Sequence, residues 1–210
     1  MQTIEGREEA HRDVPLGTAF ERRAPESPAR CSVCGFEPSE LPGPDTVARI
    51  LELPRAFRAI FTGAGRVAGP GRPESIDDQV RTRRTPDGWS AIEYAAHVAE
   101  VLHETAMRLV LIFEGAGRVL PPPHTETANA SARSASRVAV LASLGAGASD
   151  LARVVSSASS DDWDLSAKRC DMPISARDLL GEALHEAHHH LFDARQALGA
   201  CPAPVVTVQP

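Results

Sequence analysis

The chain has 210 residues, of which 42% are hydrophobic, so it is long enough to form one domain with a substantial core. Its formal net charge of −6 disfavours nucleic acid as the main partner, because phosphate binding needs clustered Lys and Arg. Aromatic residues make up only 4%, which favours packed helices over a β-sandwich. With no run of about 18 apolar residues and no apolar leader segment, we expect neither a membrane span nor a secretory signal, and a cytoplasmic location.

The two ends of the chain differ in composition from its middle. Residues 1–29 are dominated by Glu, Arg and Pro and show little periodicity, which predicts a disordered tail. We expect one helical domain over 30–200 and a short C-terminal tail over 201–210.

The predicted domain opens with the turn sequence Cys31-Ser32-Val33-Cys34-Gly35-Phe36. A C-x-x-C-G turn is half of a zinc knuckle, and a complete site needs two further ligands. Cys170 and Cys201 are not paired at ligand spacing. The pair could therefore bind zinc with two outside ligands, form a redox-sensitive dithiol, or be a packed turn without chemistry. Cys31 and Cys34 are therefore candidates for a metal site in addition to the histidine site described below.

Three helices are predicted before residue 160. The first spans 46–60, and Pro54 predicts a kink or a division into two short helices. The second spans 91–113 and begins with a capping box of Ser90 and Glu93. The third spans 127–157, and its glycines predict a bend or break near the middle.

Two connecting regions are predicted to lack regular structure. The basic cluster Arg81, Arg83 and Arg84 is interpreted as a solvated loop. Residues 168–173 are interpreted as a short extended link, and no β-hairpin signal is found anywhere in the sequence.

The last helix is predicted over 176–198. Ser175 and Asp178 have the residue types of an N-cap and an acidic first turn, and Gly199 provides the stop. Leucines recur along this segment at helical spacing and predict one buried stripe, formed by Leu180, Leu184, Leu191 and Leu198.

The same helix carries four of the eight histidines within six residues. His185 and His189 lie four residues apart, so they share one helix face and two such imidazoles can hold one metal ion. The alternative is a solvated histidine patch. With His97 from the helix over 91–113, they would form a three-histidine site with open positions, which is the catalytic pattern of metal coordination.

These motifs resemble those of the DinB/YfiT-like four-helix bundles, especially the actinobacterial members. The resemblance covers about residues 31–198 and rests on the cysteine turn, on the segment from Gly88 to His97, and on His185-Glu186-x-His188-His189. It implies an all-α four-helix bundle with long connections. It also implies a divalent metal bound by His97, His185 and His189.

The resemblance further implies a metal-dependent thiol S-transferase or isomerase that uses a low-molecular-weight thiol, such as mycothiol, on a small electrophile. Zn is the expected ion, with Ni or Fe as alternatives. Glu186, Glu93 and Asp193 are candidates for carboxylates that hydrogen-bond the imidazoles and orient them. A homodimer is possible under this resemblance. The alternative is a non-catalytic, metal-stabilised bundle that acts as a stress or binding protein.

Overall fold

A computed structural model describes residues 30–38, 41–64, 75–115, 117–122 and 134–199. The predicted tails at 1–29 and 201–210 lie outside the described residues, as does the first part of the predicted third helix.

Helices dominate the described chain. Its regular elements are α1 (Thr46–Ala64), α2 (Ile76–Arg81), α3 (Ala91–Phe113), α4 (Arg137–Ser157), a 3-10 turn (Asp161–Asp164), β1 (Ser166–Arg169), β2 (Met172–Ser175) and α5 (Ala176–Leu198). Helix α3 packs against α4 and α5, and α1 packs against the same two helices. The four long helices therefore form a bundle in the spatial order α1–α4–α3–α5, which confirms the predicted fold class.

The apolar faces predicted from helical spacing form the core. All four leucines of the predicted α5 stripe are buried, and Leu180 and Leu184 are completely inaccessible. They pack with fully buried residues of the other three long helices, including Phe57, Leu102 and Leu144. Burial of these faces, about 1.5–3 kcal/mol for each large apolar side chain, holds α5 in one rotation against α1 and α3.

The start of α3 is fixed by the predicted capping box. The backbone N–H of Ser90 donates to Glu93 Oε2 at 2.9 Å, and Trp89 lies against Tyr94 with ring centroids 5.4 Å apart. Glu93 also accepts from Arg83, with Nε to Oε2 at 2.8 Å. The interpretation of the basic cluster as a solvated loop was therefore wrong for Arg83, because a buried carboxylate ten residues away holds its guanidinium.

Two helices are more continuous than predicted. Helix α1 runs through Pro54 as one element. Helix α4 runs through both Gly145 and Gly147 without a break. Gly147 is needed there for packing, because a Cβ atom on it would lie 2.7 Å from the backbone oxygen of Ala99 on α3.

The prediction that the chain lacks a β-hairpin was wrong. Strands β1 and β2 pair antiparallel, with Ser166 opposite Ser175 and Arg169 opposite Met172. The turn residues Cys170 and Asp171 have φ of 48° and 65°, as both central positions of a type I′ turn require. The Cys-Asp pair lacks the Asn-Gly or Asp-Gly signature of that turn, so the hairpin could not be predicted from its turn residues. Helix α2, capped by Ser75, was also missed.

Among the described helices, α4 alone is long and apolar enough to cross a membrane. Its buried residues, including Leu144 and Leu151, pack against α1 and α3. The core helix of a bundle satisfies the same length and composition test, and we interpret α4 in this way.

Candidate metal centres

Four ligand-type side chains on α5 form two overlapping pairs. His185 and His189 are four residues apart, and so are Glu186 and His190. Because each residue advances about 100° around the helix, the second pair faces a direction about 100° from the first. Each pair therefore meets a different part of the protein.

The structure brings each pair together with a different set of partners. Cys31, Cys34, His185 and His189 form one group, and His97, Glu186 and His190 form another. Within each group the ligand atoms all lie within 4.8 Å of one another. Each group has the composition and spacing to hold one metal ion.

The three histidines implied by the family resemblance are not grouped together. His97 on α3 meets Glu186 and His190, whereas His185 and His189 face the cysteine turn. Glu186 and His190 lie one residue further along α5 than His185 and His189, so they face a direction about 100° away, and it is this pair that faces His97. His188 belongs to neither group and stacks on Phe36, with ring centroids 5.0 Å apart.

In the group of His97, two imidazoles converge on one carboxylate oxygen. Glu186 Oε1 lies 2.8 Å from His97 Nε2 and 3.9 Å from His190 Nε2. The hydrogen bond with His97 lowers the pKa of Glu186 below its usual value. Burial lowers the pKa of His190, which favours its neutral, metal-binding form.

A second carboxylate orients His190 from behind. Asp193 Oδ2 lies 3.0 Å from His190 Nδ1. An N–H at Nδ1 that donates to Asp193 leaves the lone pair of Nε2 facing Glu186 and His97, as metal-binding histidines require. This contact is of the kind predicted for Asp193, a carboxylate that orients an imidazole.

Glu186 and Glu93, the other two carboxylates predicted to orient the imidazoles, are placed differently. Glu186 is itself a member of the ligand group. Glu93 is 1% exposed and is engaged by Ser90 and Arg83, so it fixes the start of α3. The sequence carried a signal for Glu186 and His190, because E-x-x-x-H has the same helical spacing as H-x-x-x-H.

Aromatic rings cover one side of this group. The ring centroid of Trp89 lies 5.2 Å from that of His97 and 5.8 Å from that of His190. Tyr94 stacks on His190 at 5.2 Å. The Trp89 and Tyr94 pair at the start of α3 therefore also packs against the candidate ligands and restricts their rotation.

A cavity opens beside His97 and Glu186. Its volume is about 220 Å³, below the roughly 300–1,000 Å³ typical of pockets for drug-sized ligands. Its charged lining consists of glutamates and two arginines that pair with them: Arg108 with Glu104 at 2.8 Å, and Arg169 with Glu182 at 2.6 Å. The cavity suits a small molecule or one arm of a larger molecule.

In the cysteine group, Cys31 Sγ lies 3.9 Å from His189 Nδ1. The pKa of the Cys31 thiol is lowered to about 5, first by the backbone N–H of Cys34 and then by His185, with smaller effects of Val33 and His189. Burial raises the pKa of Cys34. Two adjacent thiols in this environment ionise in sequence, with Cys31 first.

The comparisons with known proteins agree with this architecture. Residues 74–192, more than half of the chain, match the family model of the DinB superfamily, so the chain belongs to the DinB superfamily. Among solved structures it is similar to YfiT from Bacillus subtilis, with a TM-score of 0.58 and 16% sequence identity. That alignment covers 73% of this chain and 83% of YfiT, which is described as a probable metal-dependent hydrolase with an unusual four-helix bundle topology. No match is found among curated proteins.

Proposed function

We propose that this member of the DinB superfamily is a metal-dependent enzyme acting on a small molecule, with the ion held by His97, Glu186 and His190. The observation that carries the proposal is the convergence of two Nε2 atoms on one oxygen of Glu186, beside a cavity. Bundles build metal sites in this way, from side chains on facing helices.

The donor set fits a divalent ion. Two imidazoles and one carboxylate are the ligands of several catalytic zinc sites, and the same set also suits Fe(II). Three protein ligands leave at least one position for a substrate, whereas a structural site is closed. We expect Zn first, with Ni or Fe as alternatives. When bound, such an ion lowers the pKa of a coordinated thiol or water and so supplies a nucleophile at neutral pH.

The protein's own residues would prepare the site for that ion. Asp193 holds the proton on His190 Nδ1 and leaves Nε2 free to bind. Trp89 covers the imidazoles of His97 and His190 on one side and excludes water there. Glu104 and Glu182 neutralise the two arginines of the cavity, so the described residues of its wall offer no free cation for a strongly anionic substrate.

We propose thiol transfer to a small electrophile as the reaction, with a low-molecular-weight thiol such as mycothiol as the co-substrate. The thiol loses its proton to solvent, its sulfur forms a bond to the electrophilic carbon, and the leaving group departs or the adduct isomerises. The cavity of about 220 Å³ can take the sulfur-bearing arm of the thiol and the reacting part of the electrophile.

A second candidate is hydrolysis by activated water. The observation that favours it is the similarity to YfiT, which is described as a probable metal-dependent hydrolase. Hydrolysis uses the same ligands and needs no thiol, so the two reactions are distinguished by thiol dependence alone.

Turnover by metal-loaded protein tests the proposal. Wild type is assayed on a panel of small electrophiles and esters, with and without added thiol, beside Glu186→Gln and the matched control Glu182→Gln on the cavity wall. We expect thiol-dependent turnover in wild type that falls by about 10²-fold or more in Glu186→Gln, since the amide is a poor metal ligand. Glu182→Gln should retain the bound ion, because Glu182 lies outside the ligand group.

The outcomes separate the candidates. Turnover without thiol would replace the transferase by a hydrolase. Metal binding without any turnover on the panel would favour the alternative of a non-catalytic, metal-stabilised bundle.

A further inference from the structure

We propose that Cys31, Cys34, His185 and His189 bind a second divalent ion, zinc by preference, in a closed structural site that fastens the N-terminal segment to α5. Their ligand atoms lie within 4.8 Å of one another and come from two distant parts of the chain. Its four ligands are distinct from His97, Glu186 and His190, so the proposal does not rest on the enzymatic activity.

The backbone of the cysteine turn is already folded as a metal knuckle. Gly35 has φ of +74°, its N–H donates to the carbonyl of Cys31 at 2.9 Å, and the N–H of Cys31 donates to the carbonyl of Phe36 at 2.8 Å. The backbone N–H groups of Cys34 and Val33 favour the thiolate of Cys31, and that of Phe36 favours the thiolate of Cys34. Backbone N–H groups directed at sulfur stabilise thiolates, the form that binds metal.

The two imidazoles are held in place for the same centre. Their ring centroids lie 5.8 Å apart, and Phe36 stacks on His185 with an interplanar angle of 10°. His185 Nε2 is buried and has no hydrogen-bond partner among the described residues. A buried polar atom without a partner destabilises the fold, and a metal ion bound to this nitrogen would supply the missing partner.

The four donor atoms indicate which metal ion binds and whether the site is structural or catalytic. Two thiolates and two imidazoles in tetrahedral arrangement are typical of zinc. Four protein ligands leave no position for substrate, so this site is structural, unlike the three-ligand group of His97. Two thiolate charges balance those of the ion, so the half-buried complex is neutral.

The site also has a consequence for the neighbouring group. Ligand pairs of the two groups alternate along α5, so an ion at His185 and His189 would reinforce the rotation, set by the buried leucine stripe, that directs Glu186 and His190 toward His97. Asp193 joins the two groups directly, because its Oδ1 lies 3.9 Å from His189 Nε2 while its Oδ2 contacts His190.

Cobalt substitution and thiol protection test the proposal on the full-length chain. Apo protein is titrated with Co²⁺, and the near-ultraviolet charge-transfer band of cobalt–thiolate is recorded. In parallel, zinc-loaded and chelator-treated wild type are alkylated under native conditions, and the labelled cysteines are identified by mass spectrometry. Cys31→Ser and Cys34→Ser are compared with the matched control Cys170→Ser, because Cys170 is exposed on the hairpin turn and belongs to neither ligand group.

We expect the thiolate band in wild type and in Cys170→Ser, and its loss in both other variants. Zinc should protect Cys31 and Cys34 from alkylation while Cys170 is labelled with or without zinc. Since the thiolate band reports only cysteine ligands, a His97→Ala variant should keep it, whatever the fate of the enzymatic proposal.

A different result would overturn the site. Absence of a thiolate band in wild type at saturating Co²⁺, or equal alkylation of Cys31 with and without zinc, excludes metal binding at this turn. A disulfide between Cys31 and Cys34 in protein purified under reducing conditions would likewise contradict the metal site. The two cysteines would then be a redox pair. The wild-type measurements remain decisive if a serine variant fails to fold.

Discussion

At the scale of single residues, the carboxylate of Asp193 determines the orientation of the His190 imidazole. It contacts His190 Nδ1 at 3.0 Å and so selects which imidazole nitrogen is free to bind metal. Carboxylate partners of metal-binding histidines act at this distance without touching the ion.

We predict that Asp193→Asn weakens metal binding at His97, Glu186 and His190 by about 10–100-fold, the usual cost of losing such a partner. The amide can also present its N–H₂ to His190 and favour the wrong tautomer. Competition with a chromogenic chelator measures the affinity. Asp171→Asn on the hairpin turn is the matched control, because its positive φ is tolerated by Asn. Equal metal affinities of Asp193→Asn and Asp171→Asn would show that Asp193 does not orient His190 for metal binding.

The ion pair of Arg83 and Glu93 is a second feature at this scale. Glu93 is 1% exposed and fixes both the helix start and the segment that precedes it. Because Ser90 also donates to this carboxylate, loss of the guanidinium leaves the charge only partly compensated.

We predict that Arg83→Ala lowers the free energy of unfolding by more than Arg55→Ala does, because it removes the guanidinium partner of a buried carboxylate. Arg55→Ala is the control, since Arg55 and Glu52 form an exposed pair at 3.6 Å and such pairs contribute about 0–1 kcal/mol. Urea denaturation of the three proteins gives the comparison. A loss as small as that of Arg55→Ala would mean that the capping box alone satisfies Glu93.

At the scale of elements, helix α4 carries two glycines, and the close approach of α3 to α4 depends on one of them, Gly147. A Cβ atom at Gly147 would meet the backbone oxygen of Ala99 at 2.7 Å, whereas a Cβ atom at Gly145 would have no neighbour within 4 Å. The two positions share one helix and differ only in which face they occupy.

We predict opposite signs for the two alanine variants. Gly145→Ala should raise the free energy of unfolding by up to about 1 kcal/mol, because Ala is the better helix former. Gly147→Ala should lower it by about 1–3 kcal/mol, because the helices must move apart. Thermal and urea denaturation measure both. Stabilisation by both substitutions would show that the α3–α4 interface adapts without cost.

At the scale of the whole molecule, metal and core make separate contributions. The buried faces of α1, α3, α4 and α5 form one apolar cluster, and the candidate ligand Cys34 packs against it. An ion that binds only the folded chain adds stability according to its affinity and free concentration.

We therefore predict that removal of metal from wild type by a chelator lowers the melting temperature. The helical circular dichroism signal at about 25 °C should remain unchanged. The largest part of this decrease should be absent in Cys31→Ser, if that variant no longer binds the structural ion. Complete loss of helical signal on chelation would mean that the bundle, like a small zinc domain, depends on metal to fold.

Much of the fold followed from the sequence. The spacing of leucines and the capping residues predicted the bounds of α5, Ala176–Leu198, as observed. The bounds of α3, Ala91–Phe113, were also predicted as observed. These features are local, since a cap is read by backbone groups within one turn and a stripe by helical periodicity. The hairpin was missed because its turn adopts positive φ at Cys170 and Asp171 without glycine.

The candidate sites divide in the same way. The sequence by itself determined the chemistry available: a knuckle-type turn, a histidine on α3, and a run of ligand-type residues on α5. It did not determine which of them meet, because His185/His189 and Glu186/His190 have the same spacing and differ by one residue of helix rotation. That rotation is set by burial of the leucine stripe against α1 and α3, so only the tertiary structure decided that His97 faces Glu186 and that the cysteines face His185.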